Sequence, residues 1–115
     1  MVAFGETGDK RVYFYSIDGN TNLGYYGGYG KSPISLKFNE DATELFVGFD
    51  DDLIKVIDTS TRTEIRTIDT DHNKVFEIDF NEDYSRMLTC GDDDKWRVWD
   101  TTTESVIYTS IDYGD

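Results

Sequence analysis

Short alternations of apolar and polar residues, five or six positions each, punctuate the chain from end to end. "VFEIDF" (75–80) alternates and stops at the turn cluster "NEDYS". "RMLTC" (86–90) follows and stops at "GDDD". In "KWRVWD" (95–100), Trp96, Val98 and Asp100 share one side of a strand, and Arg97 and Trp99 share the other. After "TTTE" the chain resumes with "SVIYTSI" (105–111). A period of two, bounded by Asp, Asn, Gly and Thr, predicts half-buried strands joined by tight turns. No segment shows the 3.6-residue apolar period of a helix. Pro33 stands where a strand is predicted to begin, one of the few places a sheet tolerates proline.

The alternations recur. "FNED" occurs at Phe38–Asp41 and again at Phe80–Asp83, a shift of 42 residues. The same shift lays "DDDLIKVIDT" (50–59) on "DDDKWRVWDT" (92–101), and then Ile65 on Ile107 and Thr67 on Thr109. A further step back lays "DKRVYFYS" (9–16) on "DDLIKVID" (51–58), with Asp9 on Asp51 and Asp93. Three copies align without a gap, the first being the most divergent. A fixed period of this length marks a repeat architecture, in which each copy is one supersecondary unit that buries its apolar face against a neighbour.

Four strands per copy, a period of 42, and the pattern Asp-x-x-apolar-x-Val-Trp/Ile-Asp make the chain similar to the WD40 repeat family of β-propellers. The last copy carries the dipeptide Trp99–Asp100; the middle copy has Ile57–Asp58 there, and the first has Tyr15–Ser16. Val75–Phe80 followed by "NED" fits the family's first-strand pattern. The resemblance implies an all-β fold: a partial β-propeller of about three four-stranded antiparallel blades, with an incomplete first blade over 2–32, a second over 33–74 and a third over 75–115. It also implies a hydrogen-bonded network within a blade, which falls here on His72, Thr89, Asp93 and Trp99. The usual Gly-His pair reads Asp71–His72. The middle copy offers Val47, Ile57 and Gly30 at the corresponding places, so that blade is expected to rely on packing alone. The first blade lacks its first strand, and three blades do not close a ring.

Composition narrows the function. A formal net charge of −13 over 115 residues repels phosphate backbones and anionic lipid, so neither direct nucleic-acid binding nor membrane binding is expected. Aromatic residues make up 15% of a chain that is only 37% hydrophobic, which argues against disorder and for pleated, half-buried faces. A single cysteine, Cys90, leaves no internal disulfide, and an intracellular, cytoplasmic setting is expected.

Three stretches resemble sites and are better explained as structure. "GYYGGYGKS" (24–32) ends like a phosphate loop, but the motif needs glycine at position 25, where Tyr25 stands, and a helix afterwards. "DGNTN" (18–22) opens like a calcium loop but continues with Leu23 and Tyr29 where Gly and a bidentate Glu are needed. Cys90, His72 and Asp92–Asp94 are too few, and too acidic around the thiol, for a zinc site or a thiolate nucleophile. No catalytic set, metal or cofactor is expected.

The expected function is therefore a protein–protein interaction scaffold, a segment of a WD-repeat propeller without activity of its own. The expected partners are other proteins or peptides, basic ones in particular, and the remaining blades or other copies of the chain. Asp50 and Asp92, which open the repeated acidic turns, and Tyr25, Tyr26 and Tyr29 are the candidate contact residues. The plainer reading of the aspartates is that they are solvated and guard strand edges. Two alternatives are a partial propeller completed by oligomerisation and a metal-dependent hydrolase of the propeller type.

Overall fold

The computed structural model describes residues 1–111, and all regular structure among them is β. Eleven strands follow one another: β1 Val2–Glu6, β2 Arg11–Ser16, β3 Thr21–Tyr26, β4 Pro33–Phe38, β5 Glu44–Phe49, β6 Leu53–Asp58, β7 Thr63–Asp69, β8 Val75–Phe80, β9 Arg86–Gly91, β10 Trp96–Asp100 and β11 Ser105–Thr109. They form three antiparallel meanders, β1-β2-β3, β4-β5-β6-β7 and β8-β9-β10-β11. These are the sheets of partial propeller blades, and among the described residues the first has three strands where the others have four. The end of the expected third blade, 112–115, lies outside the described residues.

The period of 42 extends to the irregularities. A bulge interrupts the pairing at Phe14/Tyr15, Val56/Ile57 and Val98/Trp99, and another at Pro33/Ser35 and Val75/Glu77. The turns repeat as closely: Asn20, Arg62 and Glu104 all have positive φ, at 50°, 58° and 56°. Arginine and glutamate rarely adopt that conformation, so the turn must be held by something else. Asp58 Oδ1 accepts from the N–H groups of Ser60 (2.8 Å) and Thr61 (3.1 Å). Asp100 Oδ1 does the same for Thr102 (2.8 Å) and Thr103 (3.1 Å). The aspartates that end β6 and β10 are thus turn caps, Asx-type bonds that replace glycine's freedom, and at the end of β2 Ser16 Oγ accepts from the Gly19 N–H (3.1 Å) instead.

One register departs from the period. Glu44 pairs with Asp58 and Arg86 with Asp100, but in the first sheet Val2 pairs with Tyr15, so that Ala3 takes the place of Phe46 rather than of Leu45. The turn between β1 and β2 is one residue longer than its counterparts, and β1 aligns with β5 at 43 residues rather than 42. The gap-free alignment holds from Arg11 onward and fails before it.

Packing between sheets repeats with the same step. Val12 and Phe14 of the first sheet are buried against Leu45, Val47, Phe49 and Ile57 of the second. Phe46, Ile54 and Val56, on the second sheet's other face, are buried against Val75, Ile78, Met87 and Trp99 of the third. Each such side chain contributes about 1.5–3 kcal/mol relative to exposure. Gly48 lets the third sheet come this close: a Cβ there would lie 2.7 Å from Val75 Cβ and 2.4 Å from Ser35 Oγ. Polar links cross the same seam. Ser35 Oγ donates to the Val75 carbonyl (2.9 Å), and Arg66 holds Glu44 of its own sheet (2.9 and 3.1 Å) and Glu104 of the next (2.7 Å).

Candidate functional site

The densest polar cluster lies inside the third sheet. Alternation along β9 turns Thr89 toward the second sheet, and alternation along β10 turns Arg97 and Trp99 the same way. The connection from β7 to β8 brings His72 over them, fully buried. Gly91 makes the space, since a Cβ there would lie 2.4 Å from His72 Cβ and 2.1 Å from the Lys74 carbonyl oxygen. Trp99 Nε1 donates to Thr89 Oγ1 (2.9 Å), which lies 2.8 Å from His72 Nε2. His72 Nδ1 lies 2.8 Å from Asp93 Oδ1. Arg97 Nη1 donates to Asp93 Oδ2 (3.0 Å). All four residues of the expected network are therefore brought together, with Arg97 as a fifth.

One assignment of protons satisfies the bonds running from Trp99 through Thr89 and His72 to Asp93, and leaves the 2.7 Å approach of Arg97 Nη1 to His72 Nδ1 as a contact between two donors. The Thr89 hydroxyl accepts from Trp99 and donates to His72 Nε2, which leaves the proton of a neutral imidazole on Nδ1, directed at Asp93. Burial pushes the His72 pKa down, against the pull of Asp93, and Arg97 adds to the depression. Burial alone would raise Asp93, but hydrogen bonds from His72 and Arg97 outweigh it and hold the carboxyl below its usual range.

A hydroxyl, a histidine and an aspartate in line are also the parts of a nucleophile relay. Here they cannot act as one. Thr89 is 0% exposed, and its oxygen already accepts the indole N–H, so no electrophile can reach it. Cys90, the next residue, points to the opposite face of β9. Burial, with Glu77 and Asp93 nearby, raises its pKa, which disfavours the thiolate. Among the described residues, the carboxylates of Asp52, Asp69 and Asp71 come within 4.8 Å of one another at the exposed turns. Two of them are engaged as caps, Asp52 on the Asn73 N–H (2.8 Å) and Asp69 on the Asp71 N–H (3.1 Å).

The second sheet solves the same position differently. Asp51 corresponds to Asp93, and its carboxylate accepts from the Tyr29 hydroxyl. Tyr29 packs edge-on against Phe49 at 4.9 Å, and Lys55 Nζ lies 4.3 Å above its ring. Lys55 also reaches Glu64 (3.3 Å), whose other oxygen accepts from Tyr26 (3.2 Å). Packing is thus joined by a second polar cluster where packing alone was expected. Burial raises the pKa of both tyrosines, with Glu64 pushing Tyr26 up to about 12 and Asp51 pushing Tyr29 further.

Of the candidate contact residues, Tyr26 and Tyr29 lie half-buried in the seam between the first and second sheets. Tyr25 is exposed on the first sheet's outer face, beside Tyr13 (5.9 Å) and under Arg11 (4.4 Å). Asp50 and Asp92 are exposed at equivalent turns. Sequence reasoning missed Lys55 and Arg97 as paired members of the two clusters. Their separation of 42 residues was the available signal.

Four-stranded meanders repeated in register, with an indole–hydroxyl–imidazole–carboxylate chain inside one of them, define a propeller blade. Residues 62–100 match the family model of the WD domain, G-beta repeat. The matched stretch runs from the turn before β7 to the end of β10 and contains His72, Thr89, Asp93 and Trp99. No curated protein matches the chain.

Proposed function

We propose that the three sheets act as a protein-interaction scaffold, a run of WD-repeat blades whose end faces and acidic turns are read by other proteins, with no catalytic chemistry of its own. WD40 repeats generally mediate protein–protein interaction, which supports the coarse reading. The observation that carries the finer one is the third sheet's outer face. Leu88, Trp96 and Val98 stand 42 residues after Phe46, Ile54 and Val56, which the neighbouring sheet buries. On the third sheet Leu88 is 43% exposed, and Tyr108, its ring tilted against Trp96 at 5.1 Å, is 51% exposed. The first sheet's outer face is also apolar, with Phe4 stacked on Tyr13 at 5.4 Å. Contiguous apolar faces of this kind mark interaction surfaces. Exposed Asp50 and Asp92 favour a basic partner along the turns.

A second reading rests on the same two faces, which lie at opposite ends and allow copies of the chain to cover one another. Sedimentation velocity and native mass spectrometry across a concentration series test both. The wild type is expected to associate, and Val98→Lys to shift it toward monomer with an unchanged strand signal in circular dichroism. A discrete closed oligomer selects the second reading. A wild type that stays monomeric at the highest soluble concentration, its end faces wet, overturns the proposal.

A further inference from the structure

The turns that join β4 to β5 and β8 to β9 are one repeat apart and share a backbone. Asp41 caps the Thr43 N–H (3.2 Å) and Asp83 the Ser85 N–H (3.0 Å). Between cap and capped residue the chain is left-handed, at Ala42 (φ 60°) and at Tyr84 (φ 61°). That conformation is unusual for a bulky side chain. Alanine builds the same turn, so the turn itself does not call for the tyrosine ring.

The ring serves a groove between the second and third sheets. It is half-buried and tilted by 31° against Phe80 at 5.2 Å, and Phe80 meets Phe46 edge-on at 5.2 Å. The three rings stand in a row along a cavity of about 360 Å³ whose walls also carry Glu40, Asp41 and Glu44. Both sheets that wall it have four strands, and neither β1 nor β11 contributes to it.

One end of the row shows what such a lining holds. Arg66 lies over the Phe46 ring at 5.7 Å and donates to both oxygens of Glu44 (2.9 and 3.1 Å). Its Nε donates to Glu104 (2.7 Å), so one guanidinium is spread over two carboxylates. At the other end stand the Tyr84 ring and the exposed carboxylates of Glu40 and Asp41. Bonds from Thr43 hold Asp41 below its usual range, which keeps it ionised.

We propose that this groove takes an arginine side chain from a segment of a partner protein, its guanidinium on the Tyr84 ring and its N–H groups on Glu40 and Asp41. The proposal deepens the scaffold reading, on which it rests, by naming the side chain that is read and placing it at a seam. A planar guanidinium suits the lining better than an ammonium, because it stacks on an aromatic face while it bonds a carboxylate edge-on.

The test follows amide NMR spectra of the whole nitrogen-labelled chain, diluted below any self-association, as a Gly-Gly-Arg-Gly-Gly peptide is added. Saturable shifts are expected at Glu40, Asp41 and Tyr84. The peptide with Lys for Arg is expected to bind more weakly, and the peptide with Gln to cause no saturable shift. Tyr84→Ala and Glu40→Gln are each expected to weaken binding about two- to fivefold, as an exposed cation–π contact and an exposed ion pair allow. Ala42 already forms the turn that Tyr84→Ala would need, so that variant keeps the fold. Equal binding of the Gln or Lys peptide, undiminished binding by both variants, or shifts confined to the turns at Asp50–Asp52 and Asp92–Asp94 overturns the proposal. If the Arg peptide fails while Val98→Lys still moves the association equilibrium, the scaffold reading stands and the arginine groove falls. If the peptide binds while the wild type stays monomeric, the groove stands and the reading of the end faces falls.

Discussion

The second and third sheets place an aspartate in the same turn and use it on opposite kinds of partner. Asp51 caps the Leu53 N–H (3.0 Å) and Asp93 the Lys95 N–H (3.2 Å), so the backbone role is shared. Beyond the cap they diverge. Asp93 takes a buried histidine that fits only because residue 91 is glycine. Asp51 takes a tyrosine hydroxyl, and the place of Gly91 is filled by Phe49, on which the tyrosine ring rests. Volume has been exchanged between the two positions while the carboxylate and the nearby cation, Lys55 or Arg97, keep their places. The third sheet is specified by a hydrogen-bond chain whose Trp99–Thr89 and Thr89–His72 links are buried and whose Asp93 end is partly buried, and an unmade bond at the buried links is costly. The second is specified by aromatic packing with a polar group at its rim, where water can substitute.

That difference is broken most severely at Gly91. An alanine Cβ there meets a backbone carbonyl at 2.1 Å and His72 Cβ at 2.4 Å, and the carbonyl belongs to a strand connection that cannot rotate away. Gly91→Ala is expected to cost about 3 kcal/mol, the upper range for overpacking, read as a fall in the urea midpoint with Trp99 fluorescence as probe. An unchanged midpoint would mean that the gap at residue 91 does not hold the histidine.

The next largest effect separates the sheets by pH. The folded-state pKa of His72 lies below its ordinary 6.5, so the unfolded chain binds the proton more readily. Stability is then lost as pH falls below about 6.5, and Asp93, also depressed, extends the loss below its ordinary 3.8. Tyr26 and Tyr29 are displaced upward from 10, so the folded state holds their protons more tightly. Their contribution is lost as pH rises above 10, through about 12 for Tyr26. Strand-resolved hydrogen exchange is expected to show β9 and β10 loosening first in acid, and β5 and β6 first in base. Loosening of all strands together at both extremes would remove the distinction.

Much of this was legible in the sequence because a repeat makes each position an experiment on the others. The strands and the period followed from alignment of the copies, and the Trp99–Thr89–His72–Asp93 chain from what the resemblance to the WD40 repeat implies at those positions. The second cluster was not legible. It depends on Tyr29, which stands one place before the position aligned with His72, and on the exchange of Phe49 for Gly91; neither is visible until volumes are compared across a seam. The lengthened turn before Arg11 was hidden for a different reason. The divergent first copy gives too few matching residues to fix its register, and a one-residue slip then passes unseen.

The smallest effect tests whether the rim position is as forgiving as the comparison requires. Tyr29→Phe keeps the ring on Phe49 and beneath Lys55 and removes only the hydroxyl that donates to Asp51. Asp51 retains the Leu53 N–H, and its freed oxygen can take up water, because the site is only partly buried. The expected cost is about 0.5–1 kcal/mol, the net worth of one hydrogen bond, measured by urea unfolding at pH 7. The same variant should flatten part of the decline above pH 10, since the group that titrates there is gone, while leaving the acid limb unchanged. A loss above about 2 kcal/mol would put Asp51 in the regime of a buried, unsatisfied carboxylate. The two sheets would then differ in the identity of the partner but not in the physics that holds it.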